Sequence, residues 1–193
     1  MTLTAPDPAI PGTTWQHATT IVVRGEPAGQ GAISFLGKGR GAKHTNEKTL
    51  KPWRRAIVLA ARDATGAHGY TDWGGICLTC RIKKDQHGLY ANVPTAADIA
   101  VTVPKPKTAP KRKRSWPITR YSHDIDHHAR ACLDALSESG VIRDDSQITE
   151  LAIRKVYPNE HHDALSTPGA VIRLYTLTGA DTMTTTTVTR SDR

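Results

Sequence analysis

Apolar positions recur along the chain with two different periods. At 19–25 (TTIVVRG), Ile21 and Val23 recur two apart between polar Thr20 and Arg24, the period-two spacing of a half-buried strand. The period changes at 48–65, where Leu50, Trp53, Ile57, Ala60 and Ala64 recur every three or four positions and predict an amphipathic helix. Pro52 suits that helix only in its first turn, and Gly66 and Gly69 mark its end. Alternation returns at 75–84. Ile76, Leu78, Cys80 and Ile82 would face one way and Cys77, Thr79, Arg81 and Lys83 the other, which predicts a strand. The most regular helical stripe is Ile125, His128, Ala129, Cys132, Leu133 and Leu136, within 124–139, and Gly140 stands where a helix C-cap glycine belongs. A turn at 143–146 leads to strands expected at 148–157 and 170–178. The order β, α, β, α, β, β predicts a mixed α/β (α+β) fold: a single mixed-sheet domain with two main helices.

The segments between these elements are equally patterned. Residues 25–43 are glycine-rich and include GKGRG at 37–41, but no G-x-x-x-x-G-K-[ST] follows, so this is not a phosphate-binding P-loop. A hairpin with a basic tip of Lys38, Arg40 and Lys43 is expected, either a plain connection or a binding loop. Residues 85–121 read as a long insertion. Residues 1–18 read as a flexible lead and the Thr-rich stretch from 181 as a disordered tail, leaving 19–180 as the folded domain. Cys77 and Cys80 form a C-x-x-C without a second pair. Three residues apart on the expected strand, they would face opposite sides, which argues against zinc or redox use and for buried small side chains.

Composition narrows the class. The 193 residues suit one domain, and no stretch approaches the roughly 20 apolar residues of a membrane helix. The start lacks the basic and apolar regions of a secretory signal, and three cysteines do not make a disulfide framework, so a cytoplasmic location is expected. The net charge of +8 has an address. Lys105, Lys107, Lys111, Arg112, Lys113, Arg114 and Arg120 all fall within 99–123, which holds no Asp or Glu; the rest of the chain is close to neutral. Pro104, Pro106, Pro110 and Pro117 keep that segment out of helix and central strand. It is either a solubilising linker or a loop that contacts nucleic-acid phosphates, where clustered cations release counterions.

Two acidic pairs bracket the best helix: Asp124 with Asp126 before it, and Asp144 with Asp145 after it. Each could simply cap or complement the helix dipole. Alternatively, carboxylates gathered in one place suit a hard divalent cation. Residues two apart diverge by about 200° on a helix but point the same way in extended chain, so a shared site requires the helix to start at or after Asp126. A helix of about 16 residues is some 24 Å long, so the second pair reaches the first only through sheet packing or a partner subunit. Of the histidines, His128 lies on the apolar stripe, while His123 and His127 could assist a metal or be solvated. No H-E-x-x-H is present to suggest zinc.

The stretch DIDHHARACLDALSESGVIRDDSQITELAIRKVY, 124–157, resembles the RusA family of Holliday junction resolvases. Asp124 and Asp126 match its D-x-D, Leu133-Asp134-Ala135-Leu136 its helix, Asp144, Asp145, Gln147 and Ile148 its D-D-x-Q-[IV] turn, and Lys155 its later base. His127 stands where the family has Asn, and Arg130 where it has its catalytic Lys. The resemblance implies a RusA-like fold and a divalent-metal-dependent endodeoxyribonuclease that resolves four-way junctions by paired nicks in recombination and repair. It implies Asp124, Asp126 and Asp145 as metal-binding carboxylates for Mg²⁺ or Mn²⁺, Arg130 as the catalytic cation, a homodimer, and a bacterial or phage origin with the protein in the host cytoplasm. The expected DNA contacts are Lys111, Arg112, Lys113, Arg114, Arg120, Lys38, Arg40 and Lys155. A non-catalytic DNA-binding protein on the same scaffold, motivated by His127 and Arg130, and an unrelated basic interaction module are the competing readings.

Overall fold

The computed structural model describes residues 13–35, 42–110 and 113–179. Its elements are β1 (Thr13–Arg24), β2 (Ile33–Phe35), β3 (Ala42–His44), α1 (Glu47–Thr65), β4 (Asp72–Trp73), β5 (Ile76–Cys77), β6 (Thr95–Thr102), α2 (Ile125–Ser139), β7 (Ile148–Val156) and β8 (Gly169–Gly179). Four strands form one mixed sheet in the order β1-β8-β6-β7. β8 runs antiparallel to both β1 and β6, whereas β6 and β7 are parallel. Parallel neighbours need a long crossover, and α2 lies within it. The result is the expected α+β architecture, with α1 and α2 packed on the sheet.

The core lies between the helices and one face of the sheet. Ile21 and Val23 of β1, Ile99 and Val101 of β6, and Ile172 and Leu174 of β8 meet Leu50, Trp53 and Ile57 of α1 and Cys132, Ala135 and Leu136 of α2. The helical periods read from the sequence therefore place most of their residues in the core, with three adjustments. Ala64, expected on the apolar stripe of α1, is exposed near its C-terminus. Ile125 is 41 % exposed at the start of α2. Pro52 falls inside α1, beyond its first turn, so α1 tolerates one missing backbone donor there.

Three expectations are corrected. β1 begins at Thr13, so part of the supposed lead is strand. The proposed insertion at 85–121 contains β6, the strand between β7 and β8, and every residue of β6 is buried. Its sequence TAADIAVT has no alternation because both of its faces are covered. Third, 75–84 is not a strand. Gly74 and Gly75 adopt positive φ (63° and 82°), and β4 and β5 are a two-residue hairpin. The chain then turns at 77–81, where Arg81 N–H bonds the Cys77 carbonyl at 2.8 Å and Arg81 has φ 63°. The apparent alternation was accidental: Ile76, Leu78 and Ile82 all stay exposed.

β2 and β3 pair as the expected hairpin. Its tip, with Lys38 and Arg40, lies outside the described residues, as do Lys111, Arg112 and the tail from 180. No helix among the described residues is long and apolar enough to cross a membrane.

Candidate nuclease site at the start of α2

The chain enters α2 through the 3₁₀ turn Arg120–Ser122 and then His123, which takes a positive φ of 54°. Asp124 follows as the N-cap residue, in extended conformation (φ −78°, ψ 151°), and its carboxylate makes no capping hydrogen bond. Asp126 lies in the first turn of α2, so the helix starts earlier than a shared acid site seemed to require. The site forms nonetheless, because Asp124 is still extended. Ligand atoms of Asp124, Asp126 and His127 lie within 4.8 Å of one another. Asp126 Oδ2 and His127 Nε2 are 3.9 Å apart. Both carboxylates are exposed.

The second acidic pair behaves differently. Asp144 caps the 3₁₀ turn Asp145–Gln147, accepting from Ser146 N–H at 3.1 Å. Hydrogen bonding from both the side chain and the backbone of Ser146 holds the Asp144 carboxyl below its usual range. Asp145 is exposed in that turn, at the far end of α2 from Asp124. α2 has 15 residues, a span of about 22 Å. Strand geometry agrees: β7 starts just after Asp145 and ends beside Lys155, near Asp124. The structure thus brings two of the three expected carboxylates together and leaves the third at the other end.

Half-buried Lys155 and buried Ser122 and His128 set the loop before Asp124. Lys155 Nζ donates to Ser122 Oγ at 3.1 Å and to the His123 carbonyl. Burial lowers the Lys155 pKa, and the Asp124 charge opposes that shift. His128 is fully buried and donates from Nε2 to the Ser122 carbonyl at 2.8 Å. Burial pushes its pKa down to about 4, so the ring is neutral. His128 is therefore a core residue that braces the loop. From the opposite side, Gln30 N–H bonds the His127 carbonyl at 2.9 Å. Gly29 lies so close that an added Cβ would stand 2.9 Å from His127 Cβ and 3.0 Å from His123 Cβ.

Arg130 is exposed on α2, one turn beyond Asp126. The basic segment is pinned rather than free. Glu160 pairs with Lys105 and accepts from Ser115 N–H at 2.8 Å, tying both ends of the Pro-rich stretch to the loop after β7. Beyond that tie, Arg114 stacks over Trp116 at 4.6 Å and Arg120 over Tyr121 at 5.7 Å. Lys113, Arg114, Trp116, Ile118, Arg120 and Tyr121 form the outer surface of this segment. A cavity of about 320 Å³ lined by Glu26, Pro27, Lys105, Tyr121 and His123, among others, separates this segment from the Gly25–Gly29 loop.

Sequence reasoning missed Glu160, the exposed aromatics and a four-charge network on the sheet. In that network Arg154 forms ion pairs with Asp98 (2.6 Å) and Asp163 (3.0 Å), and Arg173 with Asp98 (3.3 Å) and Asp163 (2.7 Å). Only the aromatics had a signal available: Trp116 and Tyr121 interleave with the cations in the sequence.

Residues 78–163, which run from the turn after β5 through β6, α2 and β7, match the family model of the endodeoxyribonuclease RusA. No curated protein matches the chain.

Proposed function

We propose that this chain, whose residues 78–163 match the RusA endodeoxyribonuclease model, is a RusA-type divalent-metal-dependent nuclease that resolves four-way DNA junctions as a homodimer. One observation carries the reading: the Asp124 and Asp126 carboxylates converge at the start of α2, and Asp124 is not spent on capping.

The donor set fits the expected ion. Two exposed carboxylates suit Mg²⁺ or Mn²⁺, which take hard oxygen donors and leave positions for water and phosphate. Asp124 and Asp126 would hold the ion, with His127 adjacent. When bound, it supplies an activated water and stabilises charge on the attacked phosphodiester. The chain's own groups do the rest. The positive end of α2 favours a phosphate at this position. Lys155 fixes the backbone before Asp124. Arg130 offers a guanidinium to charge developing on the phosphate. Lys113, Arg114 and Arg120 hold the DNA backbone, and Trp116 and Tyr121 offer faces on which unpaired bases at a branch point can stack.

Asp145 joins this reading through the homodimer. In one chain it stands at the wrong end of α2, so it serves the site only from a second copy. Two-fold symmetry then supplies two equivalent sites for paired nicks.

A synthetic four-way junction incubated with Mg²⁺ or Mn²⁺ tests the proposal. Paired nicks in opposed strands are expected, with Asp126→Asn binding the junction but not cutting it. Wild-type protein that binds the junction and never nicks it with either metal would instead establish the non-catalytic DNA-binding reading.

A further inference from the structure

The 29-residue connection from α1 to β6 has almost no core of its own. Among its described side chains between 66 and 94, only Cys77 and His87 are buried. Its larger apolar residues Ile76, Leu78, Ile82 and Leu89 are between 38 and 49 % exposed. A segment with this little burial does not repay its conformational entropy by hydrophobic packing. Yet it is organised, with a hairpin, a tight turn and a 3₁₀ turn (Lys84–Gln86), and its two buried residues fall in one cluster.

That cluster is a donor set. The imidazoles of His68 and His87 and the thiols of Cys77 and Cys80 place one ligand atom each within 4.8 Å of all the others. We infer that His68, Cys77, Cys80 and His87 form a structural zinc site.

The geometry and the chemistry agree. Zinc bonds of about 2.0–2.3 Å in a tetrahedron give ligand-to-ligand edges of roughly 3.3–3.8 Å. Cys77 Sγ and His68 Nε2 already stand 3.7 Å apart. The two cysteines bracket a turn rather than a strand, which turns both sulfurs to one side. Two sulfurs and two imidazole nitrogens in a closed set are the ligands of structural rather than catalytic zinc. The His68 and His87 rings meet edge to face at 5.1 Å, and Tyr70 packs on His87 in the same way at 5.2 Å.

The position explains what the ion would do. His68 follows the C-cap of α1, and the C-cap of α2 is pressed against the same cluster. An added Cβ on Gly140 would lie 1.9 Å from the His68 carbonyl oxygen and 3.3 Å from His87 Cε1. Zinc here staples the connection to the ends of both helices. It is separate from the acidic site, which lies at the opposite end of α2.

Metal analysis of the full chain, purified without chelators, tests the inference. One zinc per chain is expected, kept in Asp126→Asn and lost in Cys80→Ser. Cobalt substitution should produce thiolate charge-transfer bands and tetrahedral d–d bands, which read the ligands directly even if Cys80→Ser fails to fold. Zinc well below one per chain together with cobalt that shows no thiolate bands overturns the inference. So does iron in place of zinc, or full zinc retention by the Cys77→Ser/Cys80→Ser double variant.

Discussion

Lys155 donates a hydrogen bond to the backbone carbonyl of His123, the residue immediately before Asp124. The cation at the end of β7 thereby sets the direction in which the first acidic residue leaves the turn. Its second bond, to Ser122 Oγ, uses another of its three donors on the same loop. Half-buried and engaged twice on this loop, Lys155 is proposed to act as a positioning residue, where the sequence reading expects a DNA contact. Replacement with Met should lower the junction-cleavage rate by about ten-fold or more, since small misplacements of a reacting group are costly. Junction affinity measured by gel shift should change less than about two-fold. Parallel loss of affinity and cleavage would return Lys155 to the DNA-contacting set.

Asp145 gives a prediction about assembly. If it serves the site of a partner, chains carrying Asp126→Asn mixed with chains carrying Asp145→Asn should regain cutting that neither has alone. Each mixed dimer then holds one intact site and one doubly altered site, so single nicks should dominate over paired ones. Inactive mixtures, with dimer exchange verified by mass, would exclude a shared site.

The basic segment predicts a salt signature. Neutralising Lys111–Arg114 to Gln should weaken junction binding and flatten its dependence on log salt by up to about 3 to 4, near 0.9 for each phosphate no longer neutralised. The melting temperature should hold, because Lys113 and Arg114 lie on the outside of the segment and Glu160 anchors it through Lys105 and Ser115. Unchanged affinity would make the segment a linker.

The sheet network predicts a pH dependence of stability. Burial works to raise the Asp163 carboxyl, but hydrogen bonding and charge from Arg173, with His162 and Arg154, outweigh it and hold the pKa below the ordinary 3.8. A carboxyl lowered in the folded state stabilises the protein above its ordinary pKa and loses that contribution as pH falls through the folded value. Asp163→Asn leaves Arg154 and Arg173 facing Asp98 alone. It should cost about 3 kcal/mol at neutral pH in denaturant unfolding. The gap to wild type should close as the pH drops below 3.8. A constant gap across that window would mean that packing rather than charge is lost.

Legibility followed the environment of each element. α1 and α2 each bury one face, so their period survived in the sequence. β1 and β8 were visible for a related reason, because Ile21 and Val23 or Ile172 and Leu174 recur at every second position. β6 is covered on both sides, so it carried no alternation and its Asp98 gave no hint of two arginine partners. The segment at 75–84 failed in the other direction: Ile76, Leu78 and Ile82 alternate, yet each stays exposed outside the core. Two of the site's carboxylates were legible because a D-x-D at a helix start is a local arrangement. The contacts of Glu160 and Lys155 were not legible, since each reaches across more than thirty residues of chain.

By itself, the sequence determined the helices, the concentration of cations just before Asp124, and the acids at both ends of α2. These depend on residues within a few positions of one another, where periodicity and spacing are set by backbone geometry alone. Only the tertiary structure decided which acids cap and which converge, that Asp145 stands a helix length away from Asp124, and that four separated histidines and cysteines meet. Those relationships depend on strand order, on turns that need positive φ, and on which faces become buried. Such long-range choices are made by the packing of the whole domain.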